Sequence, residues 1–422
     1  MERYHVEDME VLFDCAGRDD WGKFSFPVRY GIPVTLNWRG YSYDFNLRGA
    51  LKRLTGKRSV WPDPQALLKR TDGNDYIYYG TDGYESSYDL IKNYYVPYNG
   101  IYDSGLFTDN PLEGRHVRQA LAAFDELVEA AGRHAATAVS GRLREFLTRV
   151  AARNRETLAE EAGTLHRLLG ANLPVLPPDT IDVDYEVIPL IVTEGCTCRC
   201  RFCMFHTGGG FRVRSPENIA AQIEALKAFY GEDLINYNAI VLGQNDALAA
   251  GGDLLSRTAE TAYDGLNLSA SYHRGRPRLF LFGGVESFLA ADEVLFDRLE
   301  RLPYHTSINV GLESPDQETL DILGKPLRAE QVKEAFGKMQ AVNRSRRHVE
   351  ISCNFVLGGD LPVRHTGGIQ RMLARETTAG GKGTVYLSPL RGASSRRAIL
   401  RQFRQIKMTS GLPVFIYLAQ RL

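Results

Sequence analysis

From about residue 186 onward, short apolar runs alternate with longer stretches whose apolar residues recur at helical spacing. The runs lie near 186–192, at Ala239–Leu242, Leu279–Phe282, Ser307–Val310, Glu350–Val356 and Thr384–Leu387. Between the first two, Ser215 and Pro216 supply an N-cap and a first-turn proline, and Ile219, Ile223, Leu226 and Phe229 recur on one side of the helix that follows. Alternation of this kind predicts parallel βα units, six of them.

The first part of the chain has a different rhythm. Val34–Trp38 and Tyr41–Leu47 flank Arg39-Gly40, which predicts a β-hairpin closed by a glycine turn. Asp75–Tyr79 reads as a further short strand. Val117, Leu121, Phe124, Leu127 and Val128 predict a helix that Gly132 is placed to end. A longer helix carries Leu143, Phe146, Leu147, Val150, Leu158, Leu165 and Leu168 and stops at Gly170. Pro174, Pro177 and Pro178 then mark a linker. The expected organisation is therefore a smaller, aromatic-rich α+β and helical domain over 1–178, followed over 179–422 by the α/β part with a C-terminal helix and strand.

A tyrosine-dense segment runs from Tyr76 to Tyr102. Its plain reading is the packing of large amphipathic rings. Its sharper reading is a platform that stacks bases or sugars, helped by Lys52, Arg53, Lys57 and Arg58.

Composition narrows the classes. Among 422 residues, 51 basic and 51 acidic side chains balance, so no global field argues for nucleic acid or membrane. No apolar run approaches the roughly 20 residues that span a bilayer, and Met1–His5 begins no apolar signal region. Six cysteines, four of them in one loop, make no disulfide framework. The expectation is a reducing, cytoplasmic setting without a membrane partner.

Those four cysteines carry the chemistry. Cys196, Cys200 and Cys203 stand as C-x3-C-x2-C directly after the first apolar run. Three thiolates this close can ligate three irons of a cubane iron–sulfur cluster, leaving one iron open to a ligand. Cys198 has no slot in that pattern and reads as a spare thiol. The competing readings are structural zinc held by the four thiols, with His206 nearby, and chance clustering. Zinc knuckles usually join two separated ligand pairs, and no second pair is spaced for that.

The cysteine loop resembles the cluster signature of the radical S-adenosylmethionine (radical SAM) superfamily, including an aromatic residue, Phe202, before the last cysteine. The resemblance extends over roughly residues 185–390. It implies a partial (β/α)6 barrel with the chemistry at the C-terminal strand ends, a 4Fe–4S cluster on Cys196, Cys200 and Cys203, and S-adenosylmethionine chelated to the open iron. After the second strand the family commonly carries a Gly-Gly-Glu type motif. Here Gly243, Gln244, Asn245 and Asp246 stand in its place, offering carbonyl and carboxylate oxygens to the cofactor's amine. After the fourth strand, Gly311–Ser314 and then Asp321–Lys325 resemble the branch of methylthiotransferases, elongator-type proteins and oxygen-independent coproporphyrinogen dehydrogenases. Glu313 and Ser314 would face the ribose and methionyl portion, although Ser314 with Pro315 also reads as a helix-entry turn. Asn354 on strand five and Ser388 on strand six fall where adenine contacts are expected.

The implied activity is reductive cleavage of S-adenosylmethionine and hydrogen-atom abstraction from a substrate the sequence does not identify. An external one-electron donor of flavodoxin or ferredoxin type is implied with it. Two alternatives remain beside this reading: an iron–sulfur or zinc-bearing nucleic-acid-binding module, and a radical enzyme that modifies RNA. Cys353 reads either as a redox partner lining the barrel or as inert core. Together with the isolated Cys15 it gives no second cluster, which counts against methylthio transfer, and no Asp-x-His-x-x-Gly cobalamin motif precedes the barrel. Gly208–Gly210 would let the loop fold back. Because a six-unit barrel is open, part of residues 1–178 is expected to cover its mouth or one open side, with Tyr76, Tyr78 and Tyr79 bordering the substrate space.

Overall fold

The computed structural model describes residues 2–13, 31–80, 84–100, 110–138, 140–198, 200–203, 210–374, 382–390 and 395–422. Cys15, His206, Gly208, Gly209 and part of the tyrosine-dense segment lie outside the described residues.

The first eight strands form one antiparallel meander in chain order: β1 (Glu2–Val6), β2 (Met9–Phe13), β3 (Val34–Trp38), β4 (Tyr41–Phe45), β5 (Leu51–Gly56), β6 (Leu67–Arg70), β7 (Tyr76–Gly80) and β8 (Val96–Tyr98). The predicted hairpin is β3–β4, with Arg39 and Gly40 both at positive φ, as a two-residue primed turn requires. Helix α1 (Tyr84–Ile91) precedes β8. Helices α2 (Arg115–Thr137), α3 (Gly141–Ala151) and α4 (Arg155–Leu169) follow it. Tyr43, Phe45 and Leu54 pack with Phe124 and Phe146 from α2 and α3 into one core.

Two helix expectations are corrected. Gly132 does not end α2, which continues to Thr137. A Cβ there would lie 3.5 Å from that of Ala151, in ordinary contact between α2 and α3. The longer helix is two helices, because the Asn154 side chain caps the N-terminus of α4 by accepting from Thr157 N–H. Gly170, at φ 64, ends α4 as expected.

The second sheet is parallel and seven-stranded, in the order β17-β16-β15-β14-β13-β12-β9. Its members are β9 (Ile188–Leu190), β12 (Ala239–Leu242), β13 (Arg278–Gly283), β14 (His305–Glu313), β15 (Val349–Leu357), β16 (Val385–Pro389) and β17 (Val414–Ile416). All six predicted runs are strands here, and the C-terminal strand joins them in parallel as a seventh. A small antiparallel pair, β10 (Thr193–Glu194) with β11 (Arg212–Val213), brackets the cysteine loop. The covering helices include α5 (Pro216–Tyr230), α6 (Gly252–Gly265), α7 (Val285–Ala290), α8 (Glu293–Arg301), α9 (Gln317–Leu323), α10 (Ala329–Ser345), α11 (Val363–Leu373) and α12 (Arg396–Thr409). Along β15, Ile351, Cys353, Phe355 and Leu357 belong to the large apolar core, while Asn354 and Val356 line a cavity. Cys353 is therefore core, and burial pushes its thiol pKa up.

The sheet has two edges, β9 and β17, and chain from outside it spans the gap. Leu176 N–H donates to Gln420 O at 2.9 Å, and the Tyr417 hydroxyl donates to Leu176 O. The same C-terminal stretch docks on the meander: Arg421 forks onto Asp75 at 2.5 Å, Thr71 donates to Leu422 O at 2.7 Å, and Asn99 donates to Ala419 O at 2.8 Å. Tyr76, Tyr78 and Tyr79 do not border the barrel cavity. Tyr76 and Tyr78 pack on the helices of the first core, and Tyr79 is fully buried beside Leu67 and Ile77. Val175, Tyr417 and Ala419 line the cavity instead.

The two sheets meet through buried ions. Glu186 receives Lys69 at 2.7 Å and Lys52 at 2.7 Å, and Lys52 also reaches Asp72 at 3.1 Å. Asp72 accepts from the Tyr237 hydroxyl at 2.6 Å, and its carboxyl is held down to about 2, where Lys52, Tyr237 and Arg48 overcome the cost of burial. Arg53 is likewise buried against Asp44 at 2.7 Å. Lys52 and Arg53 are thus committed inside the protein and do not serve a base-stacking surface. Lys69, only 1% exposed, also donates to Asp184 O. Replacing it with Met strips Glu186 of one buried cation, so Lys69→Met is expected to cost about 3 kcal/mol, as unpartnered buried charges do. Guanidinium unfolding of wild type and variant checks this, and equal midpoints and slopes would contradict it.

Candidate active site

The C-terminal ends of the parallel strands surround one cavity. Cys196, Cys200, Cys203 and Phe202 line it from the loop after β10. Asn245 and Asp246 do so from the exit of β12, Gly283 and Gly284 from β13, Gly311 and Glu313 from β14, Asn354 from β15 and Ser388 from β16. Because alternate residues of a strand share a face, Gly311 with Glu313 and Asn354 with Val356 are the inward positions nearest the mouth.

The cysteine loop is held by the chain on both sides of it. Gln244 accepts from Gly195 N–H at 2.9 Å and donates to Asn172 O, while Asn245 donates to Gly195 O at 3.4 Å. Gly243 sits at φ 73, and a Cβ there would lie 2.7 Å from Thr193 Oγ1. On the other side, Arg201 N–H donates to Leu323 O at 2.8 Å, at the end of α9. Gly324, at φ 64, caps that helix, and its Cβ would meet the Arg201 side chain at 2.9 Å. Lys325, the next residue, enters the cavity. Cys198 also lines the cavity, and its N–H donates to Cys196 Sγ at 3.3 Å.

Glu313 ends β14 at φ 61, after a register shift between Gly311 and Glu313. A left-handed conformation at a non-glycine residue is uncommon and is held here by its surroundings. Its carboxylate meets Lys325 Nζ at 3.3 Å. Burial raises the Glu313 pKa and Lys325 opposes that rise; burial works against the Lys325 charge, but Glu313 and the thiols prevail and raise its pKa. Asp246 accepts from Ser287 at 2.7 Å and from Ala249 N–H at 3.3 Å, and burial pushes its carboxyl up. Glycines form the wall beside these carboxylates. A Cβ on Gly284 would lie 2.6 Å from Asp246 Oδ2, and one on Gly311 would lie 2.7 Å from Glu313 Oε1.

Of the residues singled out from the sequence, Gly243, Gln244 and Ser314 do not line the cavity. The first two position the cysteine loop. Ser314 is fully buried, hydrogen-bonded to His365 at 2.8 Å, and it is Asp316 rather than Ser314 that caps α9. Lys325 is a cavity residue that the sequence reading does not single out. Its signal was a lone cation directly after a helix-ending glycine.

Below the cavity a polar chain continues into the barrel. Asn354 donates to Asn309 Oδ1 at 2.6 Å, Asn309 donates to Ser352 Oγ at 2.8 Å, and Ser352 donates to Asp179 Oδ2 at 2.6 Å. Tyr386 donates to the other Asp179 oxygen at 3.2 Å. Burial raises the Asp179 pKa to about 7, with the Ser352 hydrogen bond opposing and Glu350 and Asp182 adding to the rise.

A carboxyl raised in this way binds its proton more tightly in the fold than in the unfolded chain. Its contribution to stability is full below its ordinary value of 3.8 and is lost as pH rises towards about 7. Asp179→Asn should remove that loss, which amounts to roughly 4 kcal/mol at most. Melting temperature measured against pH is expected to fall more steeply for wild type than for the variant between those values. Parallel profiles would exclude Asp179 from the pH response.

No curated protein matches the chain. Among solved structures, it is similar to a radical SAM methyltransferase from Sphaerobacter thermophilus, with TM-score 0.38 and 19% identity over 55% of this chain and 64% of that one. It is also similar to SuiB of Streptococcus suis bound to the precursor peptide SuiA, with TM-score 0.37 and 9% identity over 83% and 71% of the two chains. Methylornithine synthase (PylB) has TM-score 0.34 and 11% identity over 70% and 85%. The chain thus spans 64% of the length of the methyltransferase. The model of the Radical SAM superfamily matches residues 190–360, from the first barrel strand to just past the fifth. That stretch holds the cysteine loop and most of the cavity wall, and it is a radical SAM domain.

Proposed function

We propose that Cys196, Cys200 and Cys203 hold a 4Fe–4S cluster and that the adjoining cavity binds S-adenosylmethionine at its open iron. The observation that carries this reading is the position of the three cysteines on the same cavity as the C-terminal ends of β12 to β16. The fit is chemical as well as positional. Three thiols of one loop on the cavity wall match the three protein ligands of a cubane whose fourth iron is left open. When bound, the cluster would pass one electron to S-adenosylmethionine and break its sulfonium bond, giving methionine and a 5′-deoxyadenosyl radical that takes a hydrogen atom from the substrate.

The chain's own residues would orient and enclose this chemistry. Lys325 presents a buried ammonium to a carboxylate, and Glu313 presents acceptors to a ribose diol or an amine. Asn245 and Asp246 offer further acceptors from the β12 exit. Phe202, Asn354 and Ser388 complete the wall, with the Asn354 amide fixed by Asn309. Tyr417 and Val175 close the side left open by the sheet and help exclude water. Gln244 acts through the loop that it holds. The electron would come from an external flavodoxin- or ferredoxin-type donor, and a reducing cytoplasm suits the cluster. No helix among the described residues is long and apolar enough to cross a membrane.

Anaerobic reconstitution with S-adenosylmethionine and dithionite tests the reading: 5′-deoxyadenosine is the expected product, and its absence from fully loaded protein would reject it. About four irons should bind per chain. Cys196→Ala, Cys200→Ala and Cys203→Ala should each lose cluster and turnover, while Cys198→Ala keeps both; the reverse pattern would overturn the ligand assignment. Glu313→Gln should weaken S-adenosylmethionine binding by about 1–3 kcal/mol with iron content unchanged. Anaerobic calorimetry measures this, and equal affinities would remove Glu313 from the site.

A further inference from the structure

The chain is neutral overall, but its charge is unevenly placed. Residues 361–422 contain eleven Lys and Arg against one Glu, which leaves forty basic and fifty acidic residues in 1–360. Neither α11 nor α12 carries an acidic residue. Helix α12 turns Ile399, Phe403 and Ile406 into the core and leaves Arg397, Arg401 and Arg404 exposed at spacings of four and three residues. These three therefore form one ridge about 10 Å long. Arg364 and Arg371 are exposed on the neighbouring α11, which is tied to α12 by Gln370 donating to Gln405 O at 3.0 Å. Lys407 and Arg421 are engaged elsewhere, by Asp89 and Asp75. Arg364, Arg371, Arg397, Arg401 and Arg404 make no ion pair with a described acidic residue.

The ridge leads to the cavity. In a βα unit the helix starts at the C-terminal end of the preceding strand, so α11 and α12 both begin on the side of the mouth. Helix α12 starts six residues after Leu390, which lines the cavity together with Ser388 and Pro389. The exposed side chains are guanidinium groups, which pair with phosphate through two parallel hydrogen bonds. A protein partner would need an apolar anchor near the centre of the patch, and a membrane would need bulky apolar residues along the helix. The bulky apolar residues exposed on these two helices, Val363 and Met408, lie at opposite ends.

We propose that this ridge docks the phosphate backbone of a single-stranded nucleic acid and leads it to the barrel mouth. As a statement about the substrate it rests on the radical reading; the docking itself does not. The test is fluorescence anisotropy of the full chain with labelled oligouridylate and oligodeoxythymidylate of roughly 20 nucleotides. A polyglutamate peptide and anionic phosphatidylserine vesicles serve as the other anionic probes. Both oligonucleotides, or one of them, should bind at about 50 mM salt, and preference between them assigns RNA or DNA. Arg397→Gln/Arg401→Gln/Arg404→Gln should weaken binding at least tenfold and reduce the slope of log affinity against log salt by about 2, from roughly 0.7 per phosphate contact. The corresponding triple Lys variant should keep most of the slope. Circular dichroism and iron content should match wild type in both variants. No oligonucleotide binding, equal binding by the Gln variant, or equally tight binding of polyglutamate or vesicles would overturn the proposal. Formation of 5′-deoxyadenosine without added substrate is measured on the same samples, so failure of docking and failure of the radical reading are told apart.

Discussion

The seven-stranded parallel sheet does not close on itself, and most of this architecture answers that constraint. Two edges remain, and the gap between them opens onto the interior where the inward residues converge. Backbone groups there need partners, and a reactive interior needs a wall. The chain supplies both from outside the sheet, by laying the stretch before β9 against the stretch after β17 and fastening the latter to the antiparallel meander. The meander is in turn fixed to the barrel by the Lys52–Asp72–Glu186–Lys69 cluster. Such buried ions do little for net stability compared with apolar packing, but they penalise any displacement that leaves one of them unpaired.

Within that frame the mouth is built from backbone as much as from side chains. Glycines at 243, 283, 284, 311 and 324 bring main chain close to carboxylates, to the cysteine loop, or to neighbouring residues. Glu313 adopts a left-handed conformation where glycine would be the easy choice. Retaining a carboxylate there indicates that its position beside Lys325 matters more than the local strain. The polar side chains facing the cavity are thus held by neighbours: Glu313 and Lys325 by each other, Asp246 by Ser287 and Asn354 by Asn309.

The elements that could be read from sequence were those with strong local signals. Strong apolar runs located the barrel strands to within a few residues. Ser215 and Gly170 marked helix ends because capping chemistry is local. The cysteine spacing marked the cavity because it is contiguous. What could not be read depends on tertiary contact. Gly132 looked like a terminator because its partner, Ala151, lies across a helix pair. Ser314 looked like a cofactor contact because its partner, His365, belongs to a helix about fifty residues further on. The tyrosines of β7 looked available because nothing in their spacing shows which core they fill. Lys52 looked like part of a basic surface because Glu186 lies 134 residues away, and Arg53 because Asp44 meets it only once β4 and β5 pair.

The wall on the open side has a consequence for how the molecule is assembled. The bond from Thr71 to Leu422 joins residues 351 positions apart, and the Asp75–Arg421 pair joins residues 346 apart. The contacts within each βα unit are far shorter in range. Contacts of low sequence separation form early, and those that close very long loops come late. The cysteine loop is fastened to Gln244, 49 residues from Gly195, so the two walls of the cavity close loops of very different length, and the wall of Tyr417 and Ala419 carries the larger entropic cost.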